Sequence, residues 1–271
     1  MASNTAPTAA CDAGGQAHDK TTSAFDVMVL GCGDAFGTGG RHNTCFHVKT
    51  AAATVLIDCG ATAMVSLARA NIDPRTLDAV FISHLHGDHF PGLVFLQLHG
   101  QFVMRRERPL TVFGPRGIAA RYAQTAECLF PGSTSNEPRF DMRFVEYEER
   151  QPATFADITV TPFEVVHESG APPYALRFAS GGKVLTFSGD TGWTPALIPA
   201  AQNADVFITE CYSYDTPLGF HLNWVELAAQ LDAINARNVV LSHMSADMLG
   251  RLDEVKDPRV QVAHDGMVIR A

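Results

Sequence analysis

His84, His86, Asp88 and His89 bring four metal-capable side chains into six residues, in the run His84-Leu85-His86-Gly87-Asp88-His89. Imidazole and carboxylate together suit Zn²⁺ and similar divalent ions. His84 and His86 are two apart, so an extended backbone points both rings to the same side. Gly87 permits a sharp turn that swings Asp88 and His89 toward a second point. One ion does not readily use all four groups from so short a segment, so the spacing reads as two adjacent ions. A polar loop with incidental histidines is a poor account of so dense a cluster.

A two-ion site needs partners from elsewhere, and three residues stand in the same context. The cluster follows the apolar run Ala79-Val80-Phe81-Ile82, which reads as a buried strand. His167 follows Phe163-Glu164-Val165-Val166, Asp190 follows Val184-Leu185-Thr186-Phe187-Ser188-Gly189, and His243 follows Val239-Val240-Leu241-Ser242. Loops at strand ends are where binding groups concentrate. Taken singly each could be a satisfied edge residue; the shared context favours ligands.

The elements that must position these groups can be read around them. Strands are expected over 25–30, 45–49, 54–58, 79–82 and 110–113, with helices over 61–70, 90–104 and 118–128. A second series follows, with strands over 140–145, 158–165, 174–178, 184–187, 206–209 and 239–241 and a helix over 224–235. Residues 261–263 and 267–269 read as a closing hairpin. Strand clusters alternating with helices, twice over, predict an α/β protein of two packed sheets with helices outside. No linker breaks the run after residue 25, so 25–271 is taken as one domain, and 1–24, rich in small and polar residues, as a flexible tail.

The whole metal-capable set, with Leu30-Gly31-Cys32-Gly33, Arg41-His42-Asn43-Thr44, Leu56-Ile57-Asp58-Cys59-Gly60, Ser188-Gly189-Asp190-Thr191, Leu241-Ser242-His243-Met244-Ser245 and Ala263-His264-Asp265-Gly266, resembles the metallo-β-lactamase superfamily. Within it the chain looks most like the ribonuclease Z branch of phosphodiesterases, from about Phe25 to the C-terminus. The resemblance implies a four-layer αββα sandwich of two mixed sheets. It also implies two divalent ions, zinc first and manganese or nickel as substitutes. His84, His86 and His167 would hold one ion, Asp88, His89 and His243 the other, and Asp190 would bridge them. Two cations sharing a hydroxide lower the pKa of that water and stabilise charge on a substrate oxygen.

Members of that branch place a Glu and a His as a proton-donating pair, and Glu210 and His221, eleven positions apart, stand at similar places. With Asp88 they complete the expected catalytic set. A carboxylate oriented on an imidazole stabilises its protonated form, which can protonate a leaving alkoxide. Two departures are notable. Family members usually carry Ser or Thr after this histidine, where Leu222-Asn223 stands here. The tRNA-processing enzymes also carry a long arm between the third and fourth metal motifs, but His167 and Asp190 are only 23 positions apart.

The expected activity is therefore hydrolysis of a small phosphodiester or nucleotide-type substrate. A carbon-ester hydrolase on the same scaffold (lactonase, thioesterase or β-lactamase) is the first alternative and would not need the Glu210–His221 pair. A non-catalytic metal-bound sensor is the second, and an intact ligand set argues against it. The net charge of −9 disfavours long nucleic acid and anionic membranes as partners. Relatives of the branch often pair, so a homodimer is compatible. Six scattered cysteines, no span-length apolar run and no signal-like N-terminus fit a cytoplasmic protein. The glycine-rich stretch 31–40 is read as an active-site wall, with Arg41 and Asn43 as candidate substrate contacts. His99 is read as helix packing, Arg105-Arg106-Glu107-Arg108 as a solvated helix end, and 130–138 as a loop able to cover the site.

Overall fold

The computed structural model describes residues 24–271, so the tail expected over 1–24 lies outside the described residues except for Ala24. Alternation within the strands sets the architecture. In β1 (Asp26–Gly31), Val27 and Val29 point into one apolar cluster while Met28 and Leu30 face another. Successive side chains of a strand point to opposite faces, so a strand apolar at every position must be covered on both.

The first sheet runs β14 (Val268–Arg270), β1, β2 (Cys45–Lys49), β3 (Thr54–Ile57), β4 (Ala79–Phe81), β5 (Leu110–Gly114) and β6 (Met142–Glu146). The second runs β13 (Val260–Val262), β12 (Asn238–Ser242), β11 (Val206–Glu210), β10 (Lys183–Phe187), β9 (Tyr174–Ser180), β8 (Ile158–Glu164) and β7 (Ala153–Phe155). Each is antiparallel in one half and parallel in the other. Their inner faces meet in one core, where Phe81 stands edge-on to Phe178 at 5.2 Å and Phe46 to Phe187 at 5.3 Å. Such aromatic pairs add roughly 0.5–1.5 kcal/mol beyond the area they bury. Helices α1 (Ala63–Arg69), α2 (Gly92–Leu98) and α3 (Ile118–Leu129) cover the first sheet's outer face, completing one outer core. Helices α4 (Leu197–Ala201), α5 (Trp224–Ala228), α6 (Leu231–Ile234) and α7 (Ala246–Gly250) cover the second. The expected αββα sandwich of two mixed sheets is the observed fold.

Several local expectations give way. The closing hairpin does not form: β13 pairs with β12 and β14 with β1, so the turn at Asp265-Gly266 carries the chain from one sheet to the other. The helix over 224–235 breaks into α5 and α6, although Trp224, Leu227, Leu231 and Ile234 all remain buried. Apolar spacing specifies the covered face, not an unbroken hydrogen-bond ladder. The helix over 90–104 ends in a π-helical turn at His99–Val103.

Arg106 is not a solvated helix end. It is 5% exposed and its guanidinium donates to five carbonyls, those of Pro74, Arg75, Leu77, Arg108 and Pro109. Residues 130–138 lie against α2 and its π-turn, with Phe130 edge-on to Phe95 at 5.5 Å and Gln101 donating to the Glu137 carbonyl.

Candidate metal centre

Parallel strands deliver the site. Open α/β sheets bind ligands outside the carboxyl ends of their strands. β4 leads to His84, His86, Asp88 and His89, β10 to Asp190, β11 ends at Glu210, and β12 leads to His243. β8 supplies His167 from the antiparallel half. The packing of the two sheets brings these ends to one edge of the sandwich.

The side chains gather in the two groups expected. Ligand-capable atoms of His84, His86 and His167 lie within 4.8 Å of one another, as do those of Asp88, His89, Asp190 and His243. Asp190 joins the groups. Its Oδ2 is 3.8 and 3.9 Å from Nε2 of His84 and His167, and 3.3 and 3.2 Å from Nε2 of His89 and His243. Asp88 Oδ2 lies 3.2 Å from His89 Nε2 and 3.1 Å from His243 Nε2.

Neighbouring groups orient the rings. His89 Nδ1 donates to Asp58 Oδ2 at 2.7 Å and His167 Nδ1 donates to the Phe220 carbonyl at 2.9 Å. Both leave Nε2 turned to the centre, the arrangement that metal-binding histidines show. Asp58 also accepts the Ser83 N–H and hydroxyl, each at 2.7 Å, and the Ser83 hydroxyl reaches His84 Nδ1 at 3.0 Å. Nε2 of His84 and of His89 and Oδ1 of Asp190 are buried without hydrogen-bond partners among the described residues. Buried polar atoms are seldom left so, and a cluster of inward-facing imidazole and carboxylate donors fits divalent ions.

The electrostatics divide the rings: against the effect of burial, Asp190 and Asp88 hold His89 well above the ordinary imidazole range, and Asp190 brings His243 up to about 9. Burial holds His84 well below the ordinary imidazole range and lowers His167 to about 4, so both are neutral donors at pH 7. Burial would raise Asp190, but His243 and His89 outweigh it and keep the carboxyl well below its usual range.

Glu210 and His221 also meet, with His221 Nδ1 3.0 Å from Glu210 Oε1. Burial raises Glu210, against the pull of His221. Burial would lower His221, but its hydrogen bond to Glu210 and that carboxylate's charge prevail, and its pKa is raised. Leu222 does not disturb the pair: its side chain is fully buried in the core under the second sheet, and its N–H donates to Glu210 Oε2 at 3.2 Å. Asn223 caps α5 by accepting the Glu226 N–H at 2.8 Å.

Three contributors went unassigned in the sequence. Asp58 orients His89; it ends an apolar strand as the candidate ligands do, which was a usable signal. Tyr212 stacks on His221 with centroids 4.7 Å apart, and nothing in its sequence context announced it. Thr191 donates its N–H to Glu210 Oε1 and accepts the Val166 N–H at 3.0 Å, linking the acid pair to the His167 loop. Asn43 is spent internally, its amide donating to the Asp34 carbonyl at 3.1 Å, whereas Arg41 Nη1 is buried without a hydrogen-bond partner among the described residues.

Comparison with known proteins decides the family. The model of the Anti-Pycsar protein Apyc1 family matches residues 25–268. The chain belongs to that family. It is a metallo-β-lactamase-fold protein related to ribonuclease Z-like proteins, in the class of metal-dependent hydrolases. The chain is similar to the probable metallo-hydrolase YhfI of Bacillus subtilis (strain 168), 25% identical over 224 residues that cover 80% of this chain and 86% of that one. The crystal structure of YhfI superposes with a TM-score of 0.77 at 22% identity, covering 91% of this chain and 99% of the other. A ribonuclease Z of Methanosarcina mazei is 24% identical over 267 residues, covering 81% and 87% of the two chains. Human tRNase Z, short form, shares the fold at a TM-score of 0.73 and 22% identity, covering 90% and 98%. For a family member so distant from these relatives, the ligand geometry above is the more direct guide to chemistry.

Proposed function

We propose that this protein is a dinuclear phosphodiesterase that hydrolyses a small phosphodiester or nucleotide-type substrate. The observation that carries the reading is the Glu210–His221 pair, a buried carboxylate on a partly exposed imidazole beside the ligand cluster, with His221 5.0 Å from His167 and 5.6 Å from His243 between ring centroids.

His84, His86 and His167 would hold one ion and Asp88, His89 and His243 the second, with Asp190 between them. The imidazole-rich set favours zinc, and manganese or nickel suits it too. Two bound cations supply a water of lowered pKa and stabilise charge on a substrate oxygen. The chain supplies the other half of the reaction. Glu210 fixes the Nδ1–H of His221, so Nε2 is the nitrogen that carries the transferable proton. The raised pKa keeps that proton in place to higher pH than on a free imidazole, available to a leaving alkoxide. Tyr212 walls the ring from one side.

Carbonyl hydrolysis has less use for this arrangement, which ranks a carbon-ester hydrolase second. Long RNA is disfavoured for a structural reason. The interval between His167 and Asp190 is filled by β9, β10 and their turn, with no insertion to grip a polynucleotide. The acidic balance of −9 offers no substitute.

The test is a panel of phosphodiesters, phosphomonoesters and lactones, assayed with zinc, manganese and nickel in turn. Preference for phosphodiesters supports the reading; activity confined to lactones overturns it.

A further inference from the structure

His243 is a proposed ligand held in a costly backbone conformation, with φ at +53°. A left-handed backbone is uncommon outside glycine and persists only where its surroundings impose it. Here the constraint is a hydrogen bond: His243 donates its N–H to the carbonyl of Cys32 at 3.0 Å. Cys32 opens the glycine-rich loop, so the position of that loop determines where the ligand's backbone can sit.

The loop is itself held from the far end of the chain. Asp265, in the turn between β13 and β14, accepts the Cys32 N–H on Oδ1 at 3.2 Å and the His42 N–H on Oδ2 at 2.9 Å. One carboxylate thus binds both ends of the loop. The ends also lie against each other, with Gly33 N–H donating to the His42 carbonyl at 2.7 Å. A Cβ on Gly31 would fall 2.0 Å from the Asn43 carbonyl oxygen, so there is no slack in this crossing. Beyond it, His42 Nδ1 meets the Ser66 hydroxyl at 2.9 Å and ties the loop to α1.

We propose that Asp265 is a positioning residue for the metal ligand His243, acting through the Cys32 carbonyl. It is not itself one of the proposed ligands. Removing it unpairs two backbone N–H groups and releases the carbonyl that holds His243, on the side of the centre shared with Asp88 and His89. His84, His86 and His167 are anchored elsewhere, so the effect is confined to one of the two ions. The proposal rests on the two-ion reading for its metal arm alone.

The experiment compares wild type, Asp265→Ala and Asp157→Ala. Asp157 is a control carboxylate that accepts the hydroxyls of Thr50 and Ser180 and has no link to the centre. In ion-free protein, NMR-detected exchange of the His243 amide should rise at least about tenfold in Asp265→Ala, while Val239, Val240 and Leu241 keep wild-type protection. In zinc titrations followed by native mass spectrometry, one of the two binding steps should lose about 10–100-fold in affinity and the other should not move. Asp157→Ala should change neither. If Asp265→Ala does not fold, Asp265→Asn, which keeps one acceptor oxygen, should shift exchange in the same direction by less. Wild-type exchange at His243 in a folded Asp265 variant overturns the proposal, as does equal weakening of both zinc steps. A wild-type protein that takes up a single ion defeats the dinuclear reading and leaves the exchange arm to decide this one.

Discussion

Glu210 Oε1 accepts from both His221 Nδ1, at 3.0 Å, and the Thr191 N–H, so the acid pair is hydrogen-bonded to the residue that follows Asp190. The Glu210–His221 pair is thereby tied by hydrogen bonds to the loop that carries Asp190, one residue away.

His221→Ala is expected to lower kcat/KM by about 10²–10⁴ on an alkyl phosphodiester, whose alkoxide needs a proton to leave. On a nitrophenyl phosphodiester, whose anion leaves unaided, the loss should stay under about tenfold. Steady-state rates on the two substrates check this, and equal losses would remove His221 from the acid role.

Glu210→Gln bears on pH. The raised pKa of His221 keeps the acid form present to higher pH, and activity on the alkyl substrate falls as pH climbs through it. Without the Glu210 charge that limb should move to lower pH, while the nitrophenyl profile keeps its alkaline side. The pH dependence of kcat/KM on both substrates is the measurement. An unmoved limb would show that Glu210 does not tune His221.

Chelation should destabilise the fold. Without cations, the buried carboxylates of Asp88 and Asp190 have His89 and His243 to offset their charge, while His84 stays neutral. Ions present at 100 times their Kd stabilise by about 2.7 kcal/mol per site. Stripping them should lower Tm by roughly 5–10 °C for each such site. Calorimetry with and without chelator, then with zinc restored, reads the change; an unaltered Tm counts against a folded-state metal site.

Arg106→Met should cost about 3 kcal/mol or more, because five carbonyls lose a buried donor at once. Arg105→Met, at an exposed neighbour, should stay within about 0.5 kcal/mol. Urea unfolding distinguishes them, and similar midpoints would return Arg106 to the solvated role its sequence suggested.

Much of the site was legible because its signals are local. A candidate ligand at the end of an apolar strand can be recognised from a few residues, and His84, His86, Asp88, His89, His167, Asp190 and His243, picked out in this way, do gather in the fold. The layer that orients them was not. Asp58 acts on a histidine 31 positions away, and Asp265 on a loop more than 220 positions away. No window of sequence contains both ends of such a contact.

The same limit applies to the fold. Periodicity and composition placed most of the strands and their buried faces and pointed to two packed sheets with helices outside, while the mixed αββα sandwich came from the family resemblance and β7 went unread. They did not determine which strand pairs with which, since β13 and β14 show a hairpin's spacing and turn yet join opposite sheets. Nor did they set the charge environment of Arg106, a basic run on paper and a buried hub of carbonyls in the fold. Side-chain type and spacing are carried by the chain itself. Pairing, burial and hydrogen-bond partners arise only when distant segments compete for the same surface, and that competition is settled in tertiary structure.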